Sequence, residues 1–173
     1  MLDLSDRYNI FLTGEITQDT CKKFTEDLLK ANGQLINLII NSPGGDFGSS
    51  MYIANLVERN HKIRTIAIGD TSSGAFMIFI AADERISTPY AYYMSHVVAE
   101  FEGEEEIRKP VDTSLAWAKN LLLQQYRFYR RHIDMSGSEI KKIFLTDHES
   151  EFSPLEMKKF GLVTKIDEIL WTS

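Results

Sequence analysis

The regular alternation of strand-like and helix-like segments between residues 8 and 96 most constrains the fold of this chain. Segments rich in β-branched and aromatic residues predict strands at 8–14, 35–41, 62–69, 84–88 and 90–96. Between them, helical spacing predicts helices at 18–32, 49–60 and 74–82, and the last of these is apolar on nearly every face. The first is predicted to begin at the N-cap Thr17 and to have one apolar face, formed by Cys21, Phe24, Leu28 and Leu29. This alternation predicts an α/β domain with right-handed crossovers and a buried third helix.

The second half of the chain follows a different pattern. An acidic stretch at 99–110 without clear periodicity predicts a solvated loop. Residues 111–133 form a long helical pattern whose aromatic residues are too numerous for one core-facing stripe, which is typical of a helix that packs against a partner subunit. The C-terminal segment predicts a helix that Ser153 caps and Gly161 ends, followed by a strand.

Composition narrows the functional classes. A length of 173 residues fits one domain, 1–173, and a net charge of −6 argues against a large nucleic-acid surface. The single cysteine, Cys21, closes no internal disulfide, which favours a reducing, cytoplasmic setting. We see no signal peptide, no membrane-spanning run and no metal-ligand motif among the four dispersed histidines.

The segment GDTSSGAF, at 69–76, joins a predicted strand to the buried helix and contains two serines. One interpretation is that Ser72 and Ser73 only turn the chain and cap the helix, which is the commoner role of such serines. The other is that Ser73 is a nucleophile, exposed by the strand-to-helix turn and activated by a nearby base. From this segment alone, capping is favoured.

Three further segments bear on that choice, and each is weak alone. Two glycines in NSPGGDFG, at 41–48, permit backbone conformations that other residues avoid and a close approach of substrate. His96 ends an apolar strand, where a histidine is more often a hydrogen-bonded core residue than a base. Acidic residues before the Ser153 helix usually serve the helix dipole, although one could orient a histidine.

Taken in order, these segments resemble the ClpP family of self-compartmentalising serine peptidases, over nearly the whole chain. The matches are NIFLTGEI to the family's V-I-F-L-T-G, LIINSPGGDF to Y-I-N-S-P-G-G, AIGDTSSGAF to G-x-A-A-S-M-G-A, YYMSHVV to M-I-H-Q-P, and SPLEMKKFGLVTKI to S-A-x-E-A-x-x-Y-G-L-V-D. The resemblance implies a crotonase-like α/β fold of repeated ββα units with a protruding handle region at about 97–133.

The resemblance also implies roles for individual residues. Ser73 is expected to be the nucleophile and His96 the general base, while Ser72 keeps the turn-and-cap role. The oxyanion hole is expected at the backbone N–H groups of Gly44 and Gly74. Substrate is expected to lie as an added strand along a segment of three residues, Gly45, Asp46 and Phe47.

Two carboxylates are candidates for the third member of the triad. Counting back from Ser153 without a gap reaches Glu149, which is one methylene longer than the family's aspartate. A shift of two residues reaches Asp147 instead, and Glu149 is the preferred of the two.

The chain departs from the family pattern at four further places. Gly74 and Ala75 replace the methionine and glycine after the nucleophile, and Val97 and Val98 replace the glutamine and proline after the histidine. The acidic 99–110 segment stands where the family has a glycine-rich strand that binds substrate and interlocks rings. The chain also begins almost at the first core strand, without the family's axial N-terminal loop, so we expect gating and the docking of an unfoldase to be altered or lost.

The implied assembly is a homo-oligomer of two stacked heptameric rings, supplied with unfolded polypeptides by an AAA+ unfoldase. The chain itself is expected to use no cofactor, since ATP is used only by the unfoldase, and no nucleic acid or membrane partner is expected. The alternatives are a non-catalytic subunit of a mixed ring, with other ClpP-type or ClpR-type subunits as partners, and a phage capsid-maturation protease of the same fold. A crotonase-fold hydratase or isomerase acting on acyl-CoA is less favoured, because it needs acidic catalytic groups.

Overall fold

The computed structural model describes residues 2–98, 111–146 and 148–170. The chain forms two compact units: the first comprises the residues up to Ser95 and those from Glu151 onward, and the second is His96–Ser150. The predicted handle region falls in the second unit. The predicted acidic loop at 99–110 lies outside the described residues.

Strands and helices alternate as predicted. The strands are β1 (Leu2–Asp3), β2 (Tyr8–Thr13), β3 (Ile36–Ser42), β4 (Ile63–Ser72), β5 (Arg85–Ser87), β6 (Tyr92–Ser95), β7 (Ser150–Phe152), β8 (Lys165–Ile166) and β9 (Ile169–Leu170). The helices are α1 (Gln18–Lys30), α2 (Phe47–Glu58), α3 (Gly74–Ile80), α4 (Val111–His132), α5 (Gly137–Ile143) and α6 (Pro154–Lys159).

The main sheet of the first unit is largely parallel. Within the described residues it has seven strands, five of them in the order β2-β3-β4-β5-β8, while β6 pairs with β4 and β7. Strand β4 is central: it pairs with β5 through Thr65–Ala67 and with β6 further along, through Asp70–Ser72. Strands β1 and β9 form a separate parallel pair. The mixed α/β prediction is confirmed.

The core of the first unit lies where α3 packs against α2 and the sheet. All seven residues of α3 are buried, as the all-round apolar pattern predicts. The predicted apolar face of α1 is only partly buried: Phe24 is buried, whereas Leu29, predicted on the same face, is 75% exposed.

The helix ends confirm the local capping predictions. Thr17 and Ser153 each form a capping box at the start of α1 and α6. Gly161 lies directly after Phe160, the C-cap residue of α6, and has a φ of 72°, the left-handed conformation that favours glycine.

The second unit is helical in its described part. Helix α4 agrees closely with the predicted long helix, and α5 begins at a capping box formed by Ser136 and Glu139. The Tyr129 and Phe144 rings meet edge to face, with centroids 6.3 Å apart, and both side chains are buried. None of the helices in the described residues has the length and apolar character needed to cross a bilayer.

Candidate active site

The turn that carries Ser73 is a single residue long. Strand β4 runs to Ser72 and α3 begins at Gly74, so the prediction that the strand ends at Gly69 is wrong. Ser73 has a φ of 52° and a ψ of −116°, a strained conformation for a residue with a side chain. Its N–H donates to the Met94 carbonyl of β6 at 2.8 Å. A strained, single-residue strand-to-helix turn is the geometry that projects a nucleophilic serine.

Capping does not account for either serine. Ser73 occupies the N-cap position of α3, yet its side chain makes no cap hydrogen bond. Ser72 is the last residue of β4, and its hydroxyl donates to the Asp70 carboxylate. The predicted turn-and-cap role of Ser72 is therefore wrong, because the strand continues through it.

A bulge in β4 precedes the Ser73 turn. Ile40 of β3 pairs with Ala67, but two residues later Ser42 pairs with Thr71, so β4 holds two extra residues. Asn41 compensates, since its side-chain oxygen accepts the Asp70 N–H at 3.0 Å. The bulge explains why a polar segment that looks like a loop in sequence remains within the sheet.

Gly44 lies directly against the Ser73 turn. It has a φ of 93°, and an added Cβ would lie 2.7 Å from the Ser72 carbonyl oxygen, 2.8 Å from the Gly74 nitrogen and 2.9 Å from the Ser73 Cβ. The structure thus brings together three of the predicted site residues, Ser73, Gly44 and Gly74. In this state the Gly44 N–H donates to the Ser42 hydroxyl at 3.1 Å. An oxyanion bound here would share the Gly44 N–H with the Ser42 hydroxyl or replace that hydroxyl as its acceptor.

Gly74 is also constrained by its surroundings. An added Cβ there would overlap the Ser50 hydroxyl and lie 2.7 Å from the Ser50 Cβ. Ser50 is buried in α2 and donates to the Asp46 carbonyl at 2.8 Å. Glycine after Ser73 therefore allows α2 to pack against the start of α3.

The predicted substrate segment is partly engaged by the protein itself. Ile16 donates its N–H to the Gly44 carbonyl at 2.8 Å and accepts the Asp46 N–H at 2.9 Å, forming an isolated parallel bridge at Gly45. Phe47 is the first residue of α2, not part of an extended segment. An added substrate strand would have to use backbone groups other than those paired with Ile16.

Asp46 has a local structural role that the sequence analysis missed. It is the N-cap of α2, and its carboxylate accepts the Ser49 N–H at 2.7 Å. Hydrogen bonds from the Ser49 side chain and backbone hold the pKa of this carboxyl below its ordinary value.

His96 belongs to the second unit, where its segment lies beside the one that precedes the predicted acids. The Val97 N–H donates to the Thr146 carbonyl at 3.0 Å. On the other edge, the Gln125 side chain of α4 contacts the backbone of His96 and Val98. His96 itself is half-buried. The sequence analysis missed Gln125, although a glutamine in the apolar stripe of a helix is a signal for a buried polar contact.

The structure describes only one of the two candidate acids. Glu149 is exposed, three residues beyond Thr146, and Asp147 lies outside the described residues. Ser73 belongs to the first unit, and His96 and Glu149 belong to the second. The Ser73–His96 pairing and the choice of acid stay predictions. Within the described residues, no group of three His, Cys, Asp or Glu side chains is placed to hold a metal ion.

The chain is similar to known proteins over most of its length. The family profile described as Clp protease matches residues 1–169. ATP-dependent Clp protease proteolytic subunit 2 of Borreliella burgdorferi is 30% identical over 170 residues, covering 92% of this chain and 82% of the relative. Subunit 3 of Rhizobium meliloti is 27% identical, covering 91% of this chain and 82% of the relative.

A solved structure supports the fold independently. A ClpP1 variant from Listeria monocytogenes superposes with a TM-score of 0.78 at 26% identity, covering 93% of this chain and 91% of that chain. These similarities assign the chain to a family, and they agree with the parallel-rich sheet and with the Ser73 turn and its opposed glycines. The chain belongs to the Clp protease family and has the ClpP fold.

Proposed function

We propose that this chain is a catalytic subunit of a ClpP-type serine endopeptidase that hydrolyses unfolded polypeptides. The single observation that carries the proposal is the backbone of Ser73: a serine held at positive φ, without a cap hydrogen bond, against Gly44. Strain of this kind persists where surrounding structure enforces it, and it is concentrated at functional sites. A serine that only capped α3 would need neither the strained backbone nor the opposing glycine.

The proposed chemistry follows the serine–histidine–acid scheme. The Ser73 hydroxyl oxygen bonds to the scissile carbonyl carbon as its proton passes to His96, and the carbonyl electron pair becomes an oxyanion. The Gly44 and Gly74 N–H groups donate to that oxyanion; one such donor is worth roughly 3 kcal/mol. Collapse expels the amine, which takes the proton from His96 and leaves an acyl-serine. Water, activated by His96, then releases the acid and restores Ser73.

The proposed acid is Glu149, with Asp147 as the alternative. Its role is to orient the His96 imidazole and to stabilise the positive charge that develops there. The backbone bond between Val97 and Thr146 supports this, because it fastens the segment after His96 beside the segment that leads to both acids.

We place the subunit in a homo-oligomer of two stacked heptameric rings, with an AAA+ unfoldase using ATP to supply substrate. Helix α4 supports a role in subunit contacts, because Trp117, Leu122 and Leu123 are each at least 40% exposed. Exposed apolar side chains of this kind are typical of a surface that a partner covers. The cytoplasm is the proposed location, and no cofactor is proposed for the chain itself.

A serine-reactive fluorophosphonate probe tests the proposal. We expect the wild type and Ser72→Ala to be labelled, and Ser73→Ala not to be labelled. The two serines are adjacent, so a difference between these variants assigns the reactivity to one hydroxyl. Peptide hydrolysis should fall at least about a thousandfold in Ser73→Ala.

The same experiment tests the alternative function, a non-catalytic ring subunit. It is favoured by the exposure of Glu149, which leaves the orienting acid without burial. A folded wild-type assembly that neither reacts with the probe nor hydrolyses peptides would establish it and would contradict the peptidase. Labelling that persists in Ser73→Ala would move the nucleophile elsewhere.

A further inference from the structure

The side chain of Gln125 is a buried polar group on α4 with a specific pair of contacts. It is 4% exposed. Its amide nitrogen donates to the His96 carbonyl at 2.8 Å, and its amide oxygen accepts the Val98 N–H at 2.9 Å. The same nitrogen lies 3.5 Å from the Tyr129 hydroxyl. Both polar ends of one side chain are therefore used on a single three-residue segment.

This pattern reproduces what a neighbouring strand would provide. In an extended chain, the backbone groups of residues i and i+2 face the same edge and those of residue i+1 face the other. His96 and Val98 present their groups to Gln125, while the Val97 N–H is bonded to the Thr146 carbonyl on the opposite edge. The segment is thus fixed on both edges, and its direction is set as it leaves His96.

We propose that Gln125 is a positioning residue for His96, holding the backbone on which the imidazole is mounted. Its effect on rate rests on the proposed function, since His96 acts there as the base. The side chain suits this task because a carboxamide supplies one donor and one acceptor in a plane. A carboxylate at this position accepts but cannot donate, and an apolar side chain leaves two backbone groups unpaired.

The test compares two substitutions at Gln125 with a matched substitution next to it. Gln125→Glu keeps the shape and removes the donor, whereas Gln125→Met keeps the packing and removes both bonds. Gln124 is exposed on the same helix, so Gln124→Glu controls for added charge and altered helix propensity. Ring assembly and thermal unfolding of each variant establish that it is folded.

Two measurements then separate positioning from general stability. In the Gln125 variants we expect kcat and the rate of fluorophosphonate labelling to fall about tenfold, with KM changed less than about twofold, because each variant leaves a buried backbone group without its hydrogen-bond partner. Hydrogen exchange at the Val98 amide should accelerate in Gln125→Met, which removes its acceptor, more than in Gln125→Glu, which keeps an acceptor oxygen, and it should remain unchanged in Gln124→Glu.

The outcomes distinguish this inference from the peptidase proposal. Wild-type kcat in folded Gln125→Glu and Gln125→Met would overturn the positioning role while leaving the peptidase intact. An inactive wild type would overturn the peptidase, and the exchange of the Val98 amide would still decide whether Gln125 holds this segment. If neither variant folds, a wild-type Val98 amide that exchanges as fast as an exposed one would overturn the inference.

Discussion

The nucleophile and the base of the proposed triad are held by different kinds of contact. Ser73 is fixed by backbone packing: the end of β4 pairs with β6, and Gly44 lies so close that an added carbon would overlap Ser72 and Gly74. His96 belongs to a segment held by hydrogen bonds: the Val97 N–H donates to the Thr146 carbonyl, and the Gln125 amide nitrogen donates to the His96 carbonyl. The Ser73 turn therefore leaves no room for added atoms beside Gly44, whereas the His96 segment depends on its hydrogen-bond partners.

This difference predicts how each side responds to substitution. Backbone overlap in a close-packed region costs several kcal/mol, because neither strand nor helix can move away without disturbing the core. Individual hydrogen bonds contribute about 1 kcal/mol each, so a polar contact can be lost without unfolding. Substitutions near Ser73 should therefore affect stability as well as rate, whereas those near His96 should affect rate first.

Removing the base itself should have the largest effect on rate. We expect His96→Ala to lower kcat/KM for a model peptide by at least about a thousandfold, because the serine loses its proton acceptor. Its unfolding midpoint should stay close to that of the wild type. His61→Ala is the control, since His61 is an exposed histidine paired with Asp83. Comparable activity in both variants would exclude His96 as the base.

Adding one carbon at Gly44 should give the largest effect on stability. Gly44→Ala combines a positive φ with three contacts shorter than 3.0 Å, two of them to backbone atoms, so we expect a loss of about 3 kcal/mol or more in unfolding free energy. Gly161→Ala is matched in φ, at 72°, but nothing lies within 4 Å of its added carbon. It should cost only about 1 kcal/mol. Equal losses in denaturant unfolding would mean that Gly44 is not confined by the Ser73 turn.

Neutralising the orienting acid should have an intermediate effect on rate. We expect Glu149→Gln to lower kcat by about a hundredfold, because the imidazole loses the negative charge that orients and stabilises it. Asp147→Asn should remain within about twofold of the wild type. Steady-state kinetics of the two variants side by side make the assignment, and the reverse result would identify Asp147 as the acid.

The smallest effect is expected at Asp46, where helix capping and substrate binding make different predictions. Asp46→Asn keeps a capping side chain and removes the charge, so we expect a loss of less than about 1 kcal/mol at neutral pH. The pKa of Asp46 is lowered in the folded state, so its stabilisation is present above the unfolded pKa and is lost as pH falls through the folded pKa. The difference in unfolding free energy between wild type and variant should therefore shrink in acid.

Kinetics at neutral pH complete this test. An unchanged KM in Asp46→Asn would support capping as the main role of the side chain. A KM raised severalfold with unchanged stability would instead support the predicted substrate contact.

Much of the fold could be predicted from local sequence patterns. The α3 segment is apolar all round and is buried throughout, and Thr17, Ser153 and Gly161 act at the helix ends where their residue types favour them. The same approach failed at Leu29, which has the spacing of a buried face but is 75% exposed. Periodicity predicts which residues share a face, but not how far the neighbouring element extends over it.

The boundaries of the site were less predictable. The polar residues before Ser73 suggested a turn from Gly69 onward, yet β4 continues to Ser72 because Asn41 compensates a bulge from the adjacent strand. Asp46 and Phe47 suggested an open segment, yet they begin α2. The first contact joins residues that are 29 apart in sequence, whereas the Asp46 cap is local and the sequence analysis missed it.

The sequence by itself determined the order of strands and helices between residues 8 and 96, the caps at Thr17 and Ser153, and the set of residues that could make up a serine peptidase site. Only the tertiary structure decided that Ser73 adopts a strained backbone, that Gly44 lies against it, and that Gln125 holds the segment after His96. The physical reason is that propensity and periodicity act between near neighbours in the chain. Excluded volume and buried hydrogen bonds act between segments that meet only when the core forms.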